Sequence, residues 1–329
     1  MKKNISAWMI FGLKIAITIG LVAYLLGKVD LAPVLAQIRS MQPLSAAIAF
    51  CAIAFQLALV SVRWQLVNRL VDARMPFGQV FRLTLVGQFF NQVLPTAVGG
   101  DAIRAWLASR EGVPFGRAVT GILCDRAVAL IVLALIISCS FFVFPSMTAG
   151  QAPISDVLRD VLGLIALAAL LGLAGFFVFG ESLARLLMSS RVTRPMGRLA
   201  SDLRKVLYSS ATSACIVGFS TAVQFLLVVA IYFCAKAMSI PLNFGPALLI
   251  VPAIMLVSMI PVSYGGWGVR EGAMIVGLGL LRVTPGDALA VSVAYGLMQM
   301  VLGLPGGVLW LARTGQGRST AVHPQRIGS

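Results

Sequence analysis

Eight ionisable side chains fall inside otherwise apolar stretches of this chain: Lys14, Arg82, Arg104, Arg126 and Arg270, with Asp101, Asp125 and Glu271. Charge at membrane depth is costly, and where it persists it pairs, faces water or binds a ligand. Three couples stand close in sequence: Asp101 with Arg104, Asp125 with Arg126, and Arg270 with Glu271. Asp101 and Arg104 are three residues apart and share a helix face. Adjacent residues diverge on a helix, so Asp125, Arg126, Arg270 and Glu271 are expected to find partners elsewhere, with Asp101 or Asp125 reaching Arg270. The chemistry these residue types suit is anion recognition. An arginine fork grips phosphate bidentately, and a helix N-terminus after glycines offers N–H groups to the same ligand. The alternative reading is structural, with the same charges pairing to hold broken helices together. Lys14 reads as a snorkelling or pairing residue.

The charges cluster where apolar runs break. The first break runs from Asn91 through Pro95, Gly99 and Gly100 to Asp101 and Arg104. The second runs from Pro261 through Gly265, Gly266 and Gly268 to Arg270 and Glu271. Irregular backbone at membrane depth is tolerated only where protein or a water-filled cavity surrounds it. Two such interruptions, one in each half, point to a binding site near the midplane. Asp101, following Gly-Gly, is a candidate N-cap for a short helix. Trp106 and Trp267 are candidate interfacial anchors.

A bilayer needs about 20 apolar residues per helical crossing. Residues 7–26, 44–61, 118–144, 161–179, 211–233 and 289–311 qualify as spans. Residues 77–109 and 244–281 remain, each a pair of short helices hinged at its Gly-Gly. The expected fold is all-α: a polytopic membrane protein with about six full spans and two re-entrant hairpins. Residues 1–312 form one integral-membrane domain, and 313–329 form a basic cytoplasmic tail. With six spans, sixteen Lys/Arg fall on the side of both termini and five on the other. The positive-inside rule then puts both termini in the cytoplasm. The hairpins enter from opposite faces. Ten full crossings would keep both termini on the same side. Gly303 and Gly307 in the last span suit close helix packing. The basic amphipathic stretch from residue 183 to Lys205 reads as a positive-inside loop or a contact with anionic lipid.

Composition narrows the function classes. The chain has 329 residues, 59% of them hydrophobic and 11% charged, with a mean hydropathy of +0.95. Its formal charge of +15 is threaded between apolar runs. No polar folded surface suits nucleic acid. The five cysteines lie in apolar runs without ligand spacing and read as small hydrophobes. The one histidine, His323, lies in the tail, so no metal site is expected. No phosphate-cradling glycine loop of the ATPase type occurs, and no cofactor is expected. Residues 7–26 contain Lys14, exceed a secretory apolar core and lack an A-x-A site, so they read as a retained helix.

Read in order, Arg63-Trp64, Asn91-x-x-Leu94-Pro95-x-x-x-Gly99-Gly100-Asp101-x-x-Arg104, Asp125-Arg126 and Pro261-x-Ser263-x-Gly265-Gly266-x-Gly268-x-Arg270-Glu271 resemble one known family. It is the transmembrane, flippase-like region of lysylphosphatidylglycerol synthases, which also occurs as stand-alone bacterial inner-membrane proteins. The resemblance covers nearly the whole chain. It implies binding and translocation of a membrane lipid with an anionic or phosphate head group, and it permits a lipid-synthesising enzyme as partner. Aminoacyl transfer resides in a separate soluble domain of the longer enzymes and is not expected here. The site the resemblance implies comprises Asn91, Gly99, Gly100, Asp101, Arg104, Asp125, Arg126, Gly265, Gly266, Arg270 and Glu271. A lipid-presenting scaffold and a membrane-embedded transferase are the competing readings.

Overall fold

A computed structural model of the protein describes residues 36–94, 99–143, 193–208, 210–259 and 268–316, with isolated residues between 163 and 185. The described residues are helical, and the long helices follow from uninterrupted apolar runs. In chain order they are α1 (Pro43–Leu70), α2 (Phe77–Val93), α3 (Gly99–Arg110), α4 (Phe115–Val143), α5 (Arg194–Tyr208), α6 (Ser210–Ala237), α7 (Phe244–Ser258), α8 (Val269–Gly279) and α9 (Pro285–Gln316). Four stretches are long and apolar enough to cross a membrane: Pro43–Leu70, Phe115–Cys139, Ala211–Ala237 and Pro285–Ala312. They coincide with four of the six expected spans. The spans expected at 7–26 and 161–179, Lys14 and the tail lie wholly or largely outside the described residues.

Both broken regions are pairs of short helices, α2–α3 and α7–α8, and in the first the Gly-Gly does not form the hinge. Gly99 and Gly100 open α3 instead of joining it to α2. Gly268, at φ 85°, precedes α8. An L side chain rarely adopts that conformation, so glycine suits the position.

The two halves repeat one another. α1 and α6 are each 28 residues long. Each is followed two residues later by a left-handed residue, Asp72 at φ 57° and Ser239 at φ 56°. The turns close identically, with Ala73 N–H donating to Asn68 O at 2.8 Å and Ile240 N–H to Ala235 O at 3.0 Å. These are the six-residue closures that satisfy the last helical carbonyls. The ends of α3 and α8 match in the same way: Gly112 and Arg282 are left-handed, and Val113 and Val283 donate to Ala108 O and Leu278 O, both at 3.2 Å.

Packing obeys the same correspondence. α2 packs on α9 as α7 packs on α4, and α1–α2, α2–α3, α3–α4 and α1–α4 have counterparts in α6–α7, α7–α8, α8–α9 and α6–α9. The equivalent helices α1 and α6 pack directly on each other. Their contacts run antiparallel: Gln42 N–H meets Ala237 O at 2.8 Å, Gln56 Nε2 meets Val223 O at 3.3 Å, and Arg63 Nη1 meets Ser220 Oγ at 3.4 Å. Equivalent helices meeting antiparallel are what a two-fold axis perpendicular to them produces. Such inverted repeats frame the midplane sites of many membrane carriers.

Two apolar cores form around this axis. One joins Ala49, Ala52 and Ile53 of α1 to α6, α7, α8 and α9. The other joins Trp64 and Val67 of α1, with Val71 just past its end, to α2, α3, α4, α5 and Ile216. α1 contributes to both, and the stretch of α1 between them carries Ser61 and Arg63. α2 and α9 approach closely because a Cβ on Gly306 would fall on the Leu85 backbone. Gly303 and Gly307 lie against Phe89, so the G-x-x-x-G pair does pack as its spacing suggests. α5 buries Gly197, Asp202 and Val206 and leaves Arg198 and Lys205 outside. Asp202 joins Arg117 at 3.0 Å and Lys205 at 3.1 Å, so α5 is fastened to the bundle as well as basic.

Candidate polar site inside the bundle

The site is built from the first broken region. Asn91 stands in the last turn of α2, and its Oδ1 accepts the Gly100 N–H at 3.0 Å. Gly100 tolerates this approach because a Cβ there would collide with Gly87 O and the Asn91 amide. The cap of α3 therefore comes from Asn91 across the break, and Asp101 is not an N-cap. Asp101 sits in the first turn of α3, where its carboxylate joins two helices. Arg104 Nη1 donates to Oδ1 at 3.0 Å, and Arg126 Nε of α4 donates to Oδ2 at 2.6 Å. The Arg104 guanidinium carbon lies 3.8 Å above the Trp64 ring, a cation–π contact that gains strength out of water.

Asp125 turns the other way and takes Arg63 of α1. Nε reaches Oδ1 at 2.8 Å and Nη2 reaches Oδ2 at 3.0 Å, a fork-to-fork pair. Arg63 is the residue that sequence reasoning missed. The expected span stops at Ser61, which leaves Arg63 among the cytoplasmic loop charges. α1 instead continues to Leu70, and Arg63 is buried. The apolar residues that follow it, through Leu70, were the available signal. Arg82, the remaining described base, pairs with Glu111.

The second broken region pairs its own two charges against α9. Glu271 Oε2 accepts the Gly268 N–H at 2.5 Å, so the carboxylate caps α8. Its Oε1 accepts Arg270 Nη2 at 2.7 Å, Arg270 Nε at 3.1 Å and Ser292 Oγ at 3.1 Å. The expectation that adjacent Arg270 and Glu271 diverge is thus overturned. Capping folds Glu271 back toward the preceding turn, where the arginine reaches it. The expected cross-pairs from Asp101 or Asp125 to Arg270 do not form, because Arg126 and Arg63 hold those carboxylates. Arg270 lies instead over Gly296 of α9, where a Cβ would strike its guanidinium. Gly265, Gly266 and Trp267 lie outside the described residues.

A cavity of about 250 Å³ opens beside the first cluster. Its charged lining is Arg63, Arg104, Asp125 and Arg126, drawn from α1, α3 and α4. Amides complete the polar wall: Asn91, Gln56, Gln88, Gln224 and Gln299. These glutamines stood in the sequence as lone polar residues within apolar spans, a signal that went unread. Arg270 and Glu271 are not in the lining. The expected site therefore separates into a polar cavity and the Arg270–Glu271 ion pair beside α9. Among the described residues no cluster of His, Cys, Asp and Glu suits a metal ion.

Comparison with known proteins identifies the family. The family model described as "Lysylphosphatidylglycerol synthase TM region" matches residues 11–307, which takes in both broken regions. A "UPF0104 membrane protein" of Methanothermobacter thermautotrophicus is 26% identical over 289 residues, 80% of this chain and 80% of the relative.

Proposed function

This chain is a membrane protein that belongs to the lysylphosphatidylglycerol synthase TM region family, and from that premise we propose that it binds a membrane lipid by its head group and carries it between leaflets. The observation that supports this most directly is the cavity with three arginines inside an otherwise apolar bundle. A head group entering there would meet the charges while its acyl chains stayed in the hydrocarbon. The volume favours this division of the lipid. Pockets for drug-sized ligands run to about 300–1,000 Å³, so about 250 Å³ accommodates a head group and not a whole lipid.

The inverted repeat supports movement as well as binding. In carriers of this design, rocking one repeat against the other exposes a fixed midplane site to each side in turn. We read the protein as residing in the inner membrane with both termini in the cytoplasm, on the strength of its Lys/Arg bias. No energy-coupling element is evident, so the reading is facilitated movement down a gradient.

The test is reconstitution into vesicles carrying fluorescent phospholipid in both leaflets, followed by quenching from outside. The parent protein should expose inner-leaflet lipid to the quencher, Arg82→Ala should do so equally, and Arg104→Ala should not. A well-folded Arg104→Ala protein that moves lipid at the parent rate would refute the site.

A further inference from the structure

The charge balance around the cavity carries the reading further. Asp125 is matched by Arg63, and Asp101 is shared by Arg104 and Arg126. Three guanidinium groups thus face two carboxylates, and the five groups together hold one net positive charge. All but Arg126 have side chains no more than 6% exposed. An uncompensated charge in such surroundings is costly, and one anionic group in the cavity removes that cost.

The donors that remain point to the same ligand. Arg104 is buried and uses only Nη1 on Asp101, while its Nε and Nη2 have no acceptor. Arg126 uses only Nε on Asp101, and its side chain remains 37% exposed. A phosphodiester, with one negative charge and two unesterified oxygens, answers both the charge and the donors. Among the described residues the opposite chemistry is missing. A cationic amine would need an unmatched carboxylate, and both carboxylates of the cluster are neutralised by arginine. The rest of the polar wall is neutral, amides together with Thr84. Gln88 and Gln224 make no hydrogen bond among the described residues, and Gln56 engages only its Nε2. Such amides suit hydroxyl groups, to which they both donate and accept.

Resting on the lipid-binding reading above, we infer that the cavity selects a lipid whose head group is a singly charged phosphodiester bearing a neutral, hydroxyl-rich substituent, and that it discriminates against cationic or zwitterionic head groups.

The experiment reads binding without transport. The purified full chain in detergent is offered equal amounts of dioleoyl phosphatidylglycerol, phosphatidylmethanol, phosphatidylcholine and lysyl-phosphatidylglycerol, and retained lipid is counted by native mass spectrometry. Phosphatidylglycerol should exceed phosphatidylcholine and lysyl-phosphatidylglycerol by about 10- to 100-fold, the range for charge-assisted hydrogen bonds. Its lead over phosphatidylmethanol should be smaller and should vanish in Gln224→Leu. Arg104→Lys and Arg126→Lys keep the charge but lose the fork, and should each reduce phosphatidylglycerol retention about tenfold. Equal retention of lysyl-phosphatidylglycerol, or retention unaltered in both lysine variants, overturns the inference. Water-soluble glycerophosphoglycerol separates the two sources of this chemistry: displacement only in large excess supports a lipid ligand, whereas displacement at equal concentration overturns it. A protein that fails to flip lipid can still pass this test, and one that flips without head-group preference fails it, so the two readings fall separately.

Discussion

Replacing Asp125 by asparagine isolates the ion pair that joins α1 to α4. Arg63 meets both carboxylate oxygens at 2.8 and 3.0 Å, with side chains only 5% and 3% exposed. Asparagine preserves the shape but removes the charge and one acceptor, which leaves a buried guanidinium unmatched. Breaking a buried pair this way costs about 3–5 kcal/mol. Ser220 Oγ, at 3.4 Å from Arg63 Nη1, is too distant to offset much of it. At about 2–4 °C per kcal/mol, the scale for chains of 150–250 residues, the thermal midpoint should fall by roughly 10 °C. The double variant Arg63→Met/Asp125→Leu should recover most of the loss, because apolar replacement of a whole buried pair is often neutral or stabilising. It also leaves the Arg104–Asp101–Arg126 charge unchanged, so phosphatidylglycerol retention should persist. The assay is thermal unfolding of purified variants in one detergent, followed by size-exclusion of the surviving monodisperse fraction. An Asp125→Asn loss below about 1 kcal/mol, the scale of exposed pairs, would refute the reasoning. So would a double variant no more stable than the single one.

Glu271→Gln should cost a similar amount, about 3–5 kcal/mol, since it removes the buried carboxylate to which Arg270, Ser292 and the Gly268 N–H all donate. Faster amide exchange at residues 268–272 would locate the damage at the α8 cap, and unchanged exchange there would contradict the capping role. Gly306→Leu should separate α2 from α9 and cost at least the 1–3 kcal/mol typical of overpacking. Gly78→Ala, where a Cβ meets nothing within 4 Å, should be neutral or slightly stabilising by thermal midpoint. N-ethylmaleimide should spare Cys124 and Cys234, which are buried between helices, until the protein is unfolded. Peptide mass mapping after labelling should find both unmodified, and modification of Cys124 or Cys234 in folded protein would contradict the helix packing.

Much of the fold was legible because hydropathy and helix breaking are local properties. Apolar runs of span length marked four of the long helices, and glycine and proline marked both breaks. The repeat was not legible as sequence similarity. Phe77-Gly78 and Phe244-Gly245 begin equivalent helices, yet the left-handed residues that follow α1 and α6 are Asp72 and Ser239. The repeat survives as backbone geometry, which many sequences can satisfy.

Residue types alone determined that charged groups must be sheltered within an apolar bundle and that arginine chemistry would surround a polar space. Only the tertiary structure decided who pairs with whom. Arg63 reaches Asp125 across 62 positions and Arg126 reaches Asp101 across 25. Those choices depend on how α1, α3 and α4 are placed, not on local spacing. The same placement split the expected site in two. Glu271 caps its own helix and neutralises Arg270, whereas one arginine too many beside Asp101 leaves the first half with an unmatched charge. Electrostatic balance is a sum over neighbours in space, so no reading of adjacent residues could supply it.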